Sequence, residues 1–144
     1  GMKLVKQLTL DGKGSLKLDV SMTNGGKDPV ACSWYLHPEY TVGGTGDHGI
    51  DIIYLPVGGK TLSMNFWNGL GNKPTQPFSE GWWKVDDSAK KVRLEQKFDL
   101  KKFRTPRLWF GLGCYNLEME SSKGLTLKPG ESWNGTLTWT LSHF

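Results

Sequence analysis

Cysteine is nearly absent from this 144-residue chain, with Cys32 and Cys114 the only two. They permit one disulfide at most and lack the spacing of a metal knuckle or a redox motif, so buried free thiols are expected. Long apolar runs are missing too, and without them no helix can cross a membrane. Charge is not concentrated: 18 basic and 14 acidic side chains leave a formal +4, and the lysines are scattered. The densest group, Lys97, Lys101, Lys102, Arg104 and Arg107, reads as a solvated face, because nucleic-acid surfaces concentrate charge and interleave it with aromatics. Neither nucleic acid nor membrane is an expected partner.

Other signatures are also lacking. Gly43-Gly44-Thr45-Gly46 has the glycines of a phosphate loop, but no Lys-Ser/Thr and no helix signal follow, so it reads as a flexible turn. There is no nucleophile motif and no nucleotide fingerprint. Repeats, linkers and low-complexity tracts do not occur, which argues for one domain over residues 1–144. Gly1 before Met2 reads as a tag remnant, and the sequence after Met2-Lys3-Leu4 is too polar for a signal peptide. The expectation is a soluble protein of unassigned compartment.

What is present is strand-like. Nineteen glycines and seven prolines punctuate short apolar runs that also carry seven tryptophans, a pattern that predicts an all-β antiparallel sandwich. Leu4 to Leu10 and Ser15 to Met22 alternate apolar with polar residues around Asp11-Gly12-Lys13-Gly14, which predicts a hairpin. Further strands are expected over Val30 to Leu36, Asp51 to Leu55, Lys60 to Trp67, Gly81 to Val85, Val92 to Leu100, Arg107 to Leu112, Cys114 to Glu120 and Ser132 to Leu141. Asp86 to Lys91 reads as a short helical turn, and Trp67 to Glu80 as the longest irregular stretch, of a length that often carries function.

Alternation then assigns faces. Tyr35, His37 and Glu39 project opposite to Trp34 and Leu36, while Asn116, Glu118 and Glu120 oppose Leu117 and Met119. Where these polar faces converge, His37 and Glu118 form an acid/base pair able to stand across a sugar, with Tyr35 and Asn116 as hydrogen-bonding neighbours. Where they do not, both faces simply meet solvent, as in any half-exposed sheet. Adjacent Trp82 and Trp83 face opposite ways, so one belongs to the core and the other is available for stacking on a sugar. His37, Glu39, Asp47 and His48 do not have the spacing of a metal-ligand signature.

Several segments taken in order resemble the galactose mutarotase (aldose 1-epimerase) family. They are Thr23-Asn24 and the turn to Pro29, then His37-Pro38-Glu39-Tyr40-Thr41-Val42-Gly43, Asp47-His48-Gly49-Ile50-Asp51-Ile52, Leu117-Glu118-Met119-Glu120, and Leu127-Lys128-Pro129-Gly130-Glu131. The resemblance runs from about Met22 to Leu141 and corresponds to the C-terminal portion of a sandwich about twice this length. It implies that His37 is the general acid at the pyranose ring oxygen and that Glu118 is the base at the anomeric hydroxyl. Tyr35, Asn116, His48 and Trp67 would then contact a sugar or glycan, and the reaction would need neither metal nor nucleotide cofactor. It also implies a missing partner half, supplied by a homodimer or another domain. The rival expectation is a noncatalytic carbohydrate-binding or structural accessory domain of a larger carbohydrate-active enzyme.

Overall fold

The computed structural model describes residues 1–44, 51–65, 71–74, 77–105, 107–111 and 114–144, which fold as strands and turns without a helix. In chain order the strands are β1 (Met2–Leu10), β2 (Ser15–Asn24), β3 (Val30–Cys32), β4 (Tyr35–Leu36), β5 (Asp51–Val57), β6 (Lys60–Asn65), β7 (Gly71–Pro74) and β8 (Trp82–Asp87). They continue as β9 (Val92–Phe98), β10 (Phe103–Arg104), β11 (Arg107–Gly111), β12 (Cys114–Leu117), β13 (Met119–Ser121), β14 (Leu125–Leu127) and β15 (Ser132–His143). Seven of them form one sheet in the order β1-β2-β15-β9-β8-β5-β6. Three short sheets, β10-β13-β4, β12-β11-β7 and β14-β3, make the second layer of an all-β antiparallel sandwich.

Aromatic side chains join the layers. Trp34 stacks on Trp133 of β15 at 6.3 Å between ring centroids and meets Phe103 edge-on at 5.5 Å. Tyr40 meets Trp83 of β8 edge-on at 5.1 Å. Between the layers lie Leu18, Val20, Ile53, Val85 and Leu137 from the large sheet and Tyr115, Leu117 and Met119 from the small ones, all buried. Burial of each such side chain stabilises the fold by about 1.5–3 kcal/mol, and a one-residue slip of β12 would exchange Tyr115 and Leu117 for Asn116 and Glu118. Core burial therefore fixes which way the polar side chains point.

The first hairpin forms where expected. Asp11 Oδ1 accepts from the amides of Lys13 (2.7 Å) and Ser15 (2.9 Å), while Gly12 and Gly14 take φ of 71° and 96°. At Gly14 a β-carbon would also come within 2.7 Å of the Leu141 carbonyl oxygen, so glycine is required there twice over. Asn24 closes the other end of β2. Its buried amide donates to the carbonyls of Asp28 and Leu127, each at 2.8 Å, and accepts from Gly26 N at 2.9 Å.

Several expectations are corrected. Val30 to Leu36 is two short strands, because Ser33 and Trp34 leave the ladder where Trp34 turns into the core. Cys114 to Glu120 breaks at Glu118, whose amide donates to the Arg107 carbonyl at 3.0 Å. Asp86 and Asp87 end β8 instead of opening a helix; Asp87 Oδ1 takes the Ala89 and Lys90 amides, and Lys91 turns back at φ 56°. The brief strands β7, β10 and β14 were not anticipated, since two to four residues carry too little alternation to read. Both cysteines are half-buried, less enclosed than expected.

Strand β1 is exposed along its whole length at the sheet edge. Its register with β2 pairs Leu4 with Met22 and Leu8 with Leu18, so the even-numbered side chains lie on the core face of the sheet. The second layer stops short of them, and Leu8 and Leu10 remain 66% and 78% exposed. They line an apolar groove of about 700 Å³ with Leu36, Pro38, Trp139 and Leu141. Among the described residues no helix is long and apolar enough to cross a membrane.

Candidate functional site

Strands β4 and β13 bring the two polar segments together. Their register sets Tyr35 opposite Glu120 and Leu36 opposite Met119, so Tyr35 and Glu120 share the outer face of the small sheets. His37 follows Tyr35 by one alternation, and Glu118 precedes Glu120 by one. The result is direct contact: His37 Nδ1 lies 3.4 Å from Glu118 Oε1. The Glu118 side chain is 12% exposed and that of His37 47%, so the carboxylate is set into the wall while the imidazole stands in the open.

Tyr35 completes the cluster. Its ring centroid is 6.4 Å from that of His37, and its hydroxyl is near enough to the Glu118 carboxylate to be influenced by it. Partial burial first, then the Glu118 carboxylate beside the hydroxyl and the negative charge of Glu120, push the Tyr35 phenol up to about 12. Tyr35 is thus a neutral donor at any ordinary pH.

Asn116 has a different setting. It is fully buried, and neither its Nδ2 nor its Oδ1 has a hydrogen-bond partner among the described residues. It lies directly opposite Trp109, which places the indole on the same face. In this conformation the amide is closed off from solvent. His48 and Trp67, the remaining sequence-derived sugar contacts, lie outside the described residues, as does Asp47. Of the tryptophan pair, Trp83 is in the core with its indole N–H donating to Gln96, while Trp82 is half-exposed and donates to Glu80 Oε2 at 2.9 Å.

The face also carries residues that the sequence reading treated as mere solvated charge. Arg104 pairs with Glu120 across β10 and β13, Nη2 to Oε2 at 2.6 Å. Arg107 alternates onto the Trp109 face, and its charge is felt by the Tyr35 phenol. The signal available was the alternation Arg107-Leu108-Trp109, with Leu108 buried. Among the described residues no three His, Cys, Asp or Glu side chains cluster in a way that could hold a metal ion.

No protein-family model matches the chain, and no curated protein matches it in sequence. Solved structures do match. The Slr1438 protein from Synechocystis sp. PCC 6803 aligns with 99% of this chain and 55% of its own, at TM-score 0.76 and 14% identity. A galactose mutarotase-like protein from Clostridium acetobutylicum aligns with 99% of this chain and 56% of its own, at TM-score 0.71 and 15% identity. The fold is galactose mutarotase-like. The chain spans about half the length of those two structures. The same fold aligns with 30% of a TPR-domain containing protein from Parabacteroides distasonis, at TM-score 0.72 and 14% identity, covering 99% of this chain.

Proposed function

We propose that this chain bears a carbohydrate site of the mutarotase type and interconverts the anomers of an aldose by acid/base catalysis. The observation that carries the reading is the His37–Glu118 contact, 3.4 Å across, on an open face of a mutarotase-like fold. Ring opening requires one proton to leave the anomeric hydroxyl and one to reach the ring oxygen. Both oxygens sit on the same carbon, so an acid/base pair in mutual contact serves them from one side of the sugar. Tyr35 supplies a neutral donor beside the pair, and the half-buried indole of Trp109 an apolar surface.

A second reading, a noncatalytic carbohydrate-binding domain, is favoured by one feature, the half-exposed Trp82 indole, which offers a surface for stacking on a sugar ring. Polarimetry decides between them. Freshly dissolved α-D-galactose and α-D-glucose are followed at low buffer concentration with and without the protein. The catalytic reading predicts faster relaxation that is lost in His37→Asn; an unaccelerated approach to equilibrium rejects it in favour of binding alone.

A further inference from the structure

We propose that the apolar groove beside β1 binds a free amphiphilic anion, its apolar body laid across the sheet and its head held at Lys6. The groove lies on the core-facing side of the large sheet, apart from the outer face that carries His37 and Glu118, and the proposal does not depend on the carbohydrate reading.

The first observation is shape. Leu8, Leu10, Trp139 and Leu141 of the large sheet line the groove on one side, and Leu36 and Pro38 of the facing layer line it on the other. At about 700 Å³ it has the size of a small-molecule site, and such sites are concave and mostly apolar with few polar groups. Leu8, Leu10 and Leu141 remain exposed, so a ligand that covers them removes apolar surface from water.

The second is charge. Lys6 stands opposite buried Val20 in the β1–β2 register, which puts its side chain on the core face, the same face as Leu8. Among the described residues it is the only charged side chain lining the groove, and it has no ion-pair partner. One ammonium beside an apolar trough complements one anionic head on one apolar body. A bilayer surface draws on several basic residues at once, which this groove does not supply.

An inward-facing lysine also guards a sheet edge against pairing with another strand. The two roles are separable. A guard works by keeping copies apart, so its loss promotes self-association and leaves the choice between anionic and neutral ligands as it was.

Calorimetric titration of the intact chain with decanoate, at about pH 8 where carboxylates are ionised and below the micelle concentration, tests the site. Saturable one-to-one binding is expected; it weakens with added salt and displaces the dye ANS. Lys6→Gln should lower decanoate affinity about two- to fivefold, the worth of an exposed ion pair, and leave decanol affinity unchanged. Lys6→Glu should bind decyltrimethylammonium ahead of decanoate. Leu8→Thr with Leu10→Thr should weaken all three ligands about tenfold or more.

Decanoate binding that does not saturate, or that is as tight in Lys6→Glu as in the wild type, overturns the proposal. So does affinity for phosphatidylserine vesicles with none for free decanoate, which makes this face a membrane contact. A Lys6→Gln chain that self-associates and still prefers decanoate to decanol as the wild type does leaves Lys6 an edge guard and overturns it as well. Polarimetry bears on none of these outcomes, so the proposed function and this site fail separately.

Discussion

Trp139 of β15 donates its indole N–H to the Tyr40 hydroxyl at 2.8 Å, joining the large sheet to the segment that bridges β12. Tyr40 also exchanges two backbone hydrogen bonds with Tyr115, at 2.8 and 3.1 Å, next to buried Asn116. Trp139→Phe keeps most of the apolar volume but leaves a phenol that is pushed well above its ordinary range by burial without its donor. The expected cost is about 1–3 kcal/mol, read from the urea midpoint at unchanged m-value.

Tyrosine ionisation sets an alkaline limit. A phenol at 10 in the unfolded chain and about 12 in the fold keeps its proton longer when folded, so between those values the unfolded state binds fewer protons. The Tyr35 contribution is fully present below pH 10, falls as pH rises to about 12, and is flat beyond. Denaturation midpoints of wild type and Tyr35→Phe over that window should show the shallower decline in Tyr35→Phe. The difference is small because Tyr35 is 45% exposed. Parallel curves would mean that the phenol titrates alike in both states.

Asn24 is a costly polar residue to lose. Its buried amide satisfies two carbonyls and one N–H, so Asn24→Ala strands them between the β2 end and the Leu127 strand. A loss of about 2–4 kcal/mol is expected by calorimetry or urea titration. Asn24→Asp should also destabilise, since a carboxylate cannot donate to the Asp28 and Leu127 carbonyls.

Asp86 and Arg93 form a two-pronged ion pair across β8 and β9, at 2.6 and 2.7 Å, with Asp86 buried. The carboxylate raises the guanidinium further above its ordinary value. Arg93→Met leaves a buried charge unpaired and should cost about 3 kcal/mol or more. Adding Asp86→Leu should recover much of that loss. A double variant no better than Arg93→Met would contradict a cost set by the unpaired charge.

The apolar groove beside β1 should bind a hydrophobic dye. Leu8→Thr with Leu10→Thr is expected to lower ANS fluorescence clearly while shifting stability by no more than about 1 kcal/mol, because both side chains are mostly exposed.

The all-β class, the first hairpin and the facing of the two polar strands were legible in the chain, because alternation at period two is a local property that burial of Leu117, Met119 and Trp34 then enforces. Element ends were less legible. The interruption at Glu118 depends on Arg107, and the one at Trp34 on Ser121, whose hydroxyl accepts the Trp34 amide at 3.1 Å. No local pattern records a partner so far along the chain.

Alternation along the chain put His37 and Glu118 on the polar side of their segments, each just outside a short strand. Their 3.4 Å contact, the enclosure of Asn116 and the uncovered core face of β1 arose from how the strands pack together. Alternation sets the side of a strand on which a residue lies, but distance and enclosure depend on which strands become neighbours, and that is decided by the packing of Trp34, Phe103 and Trp133 between the layers.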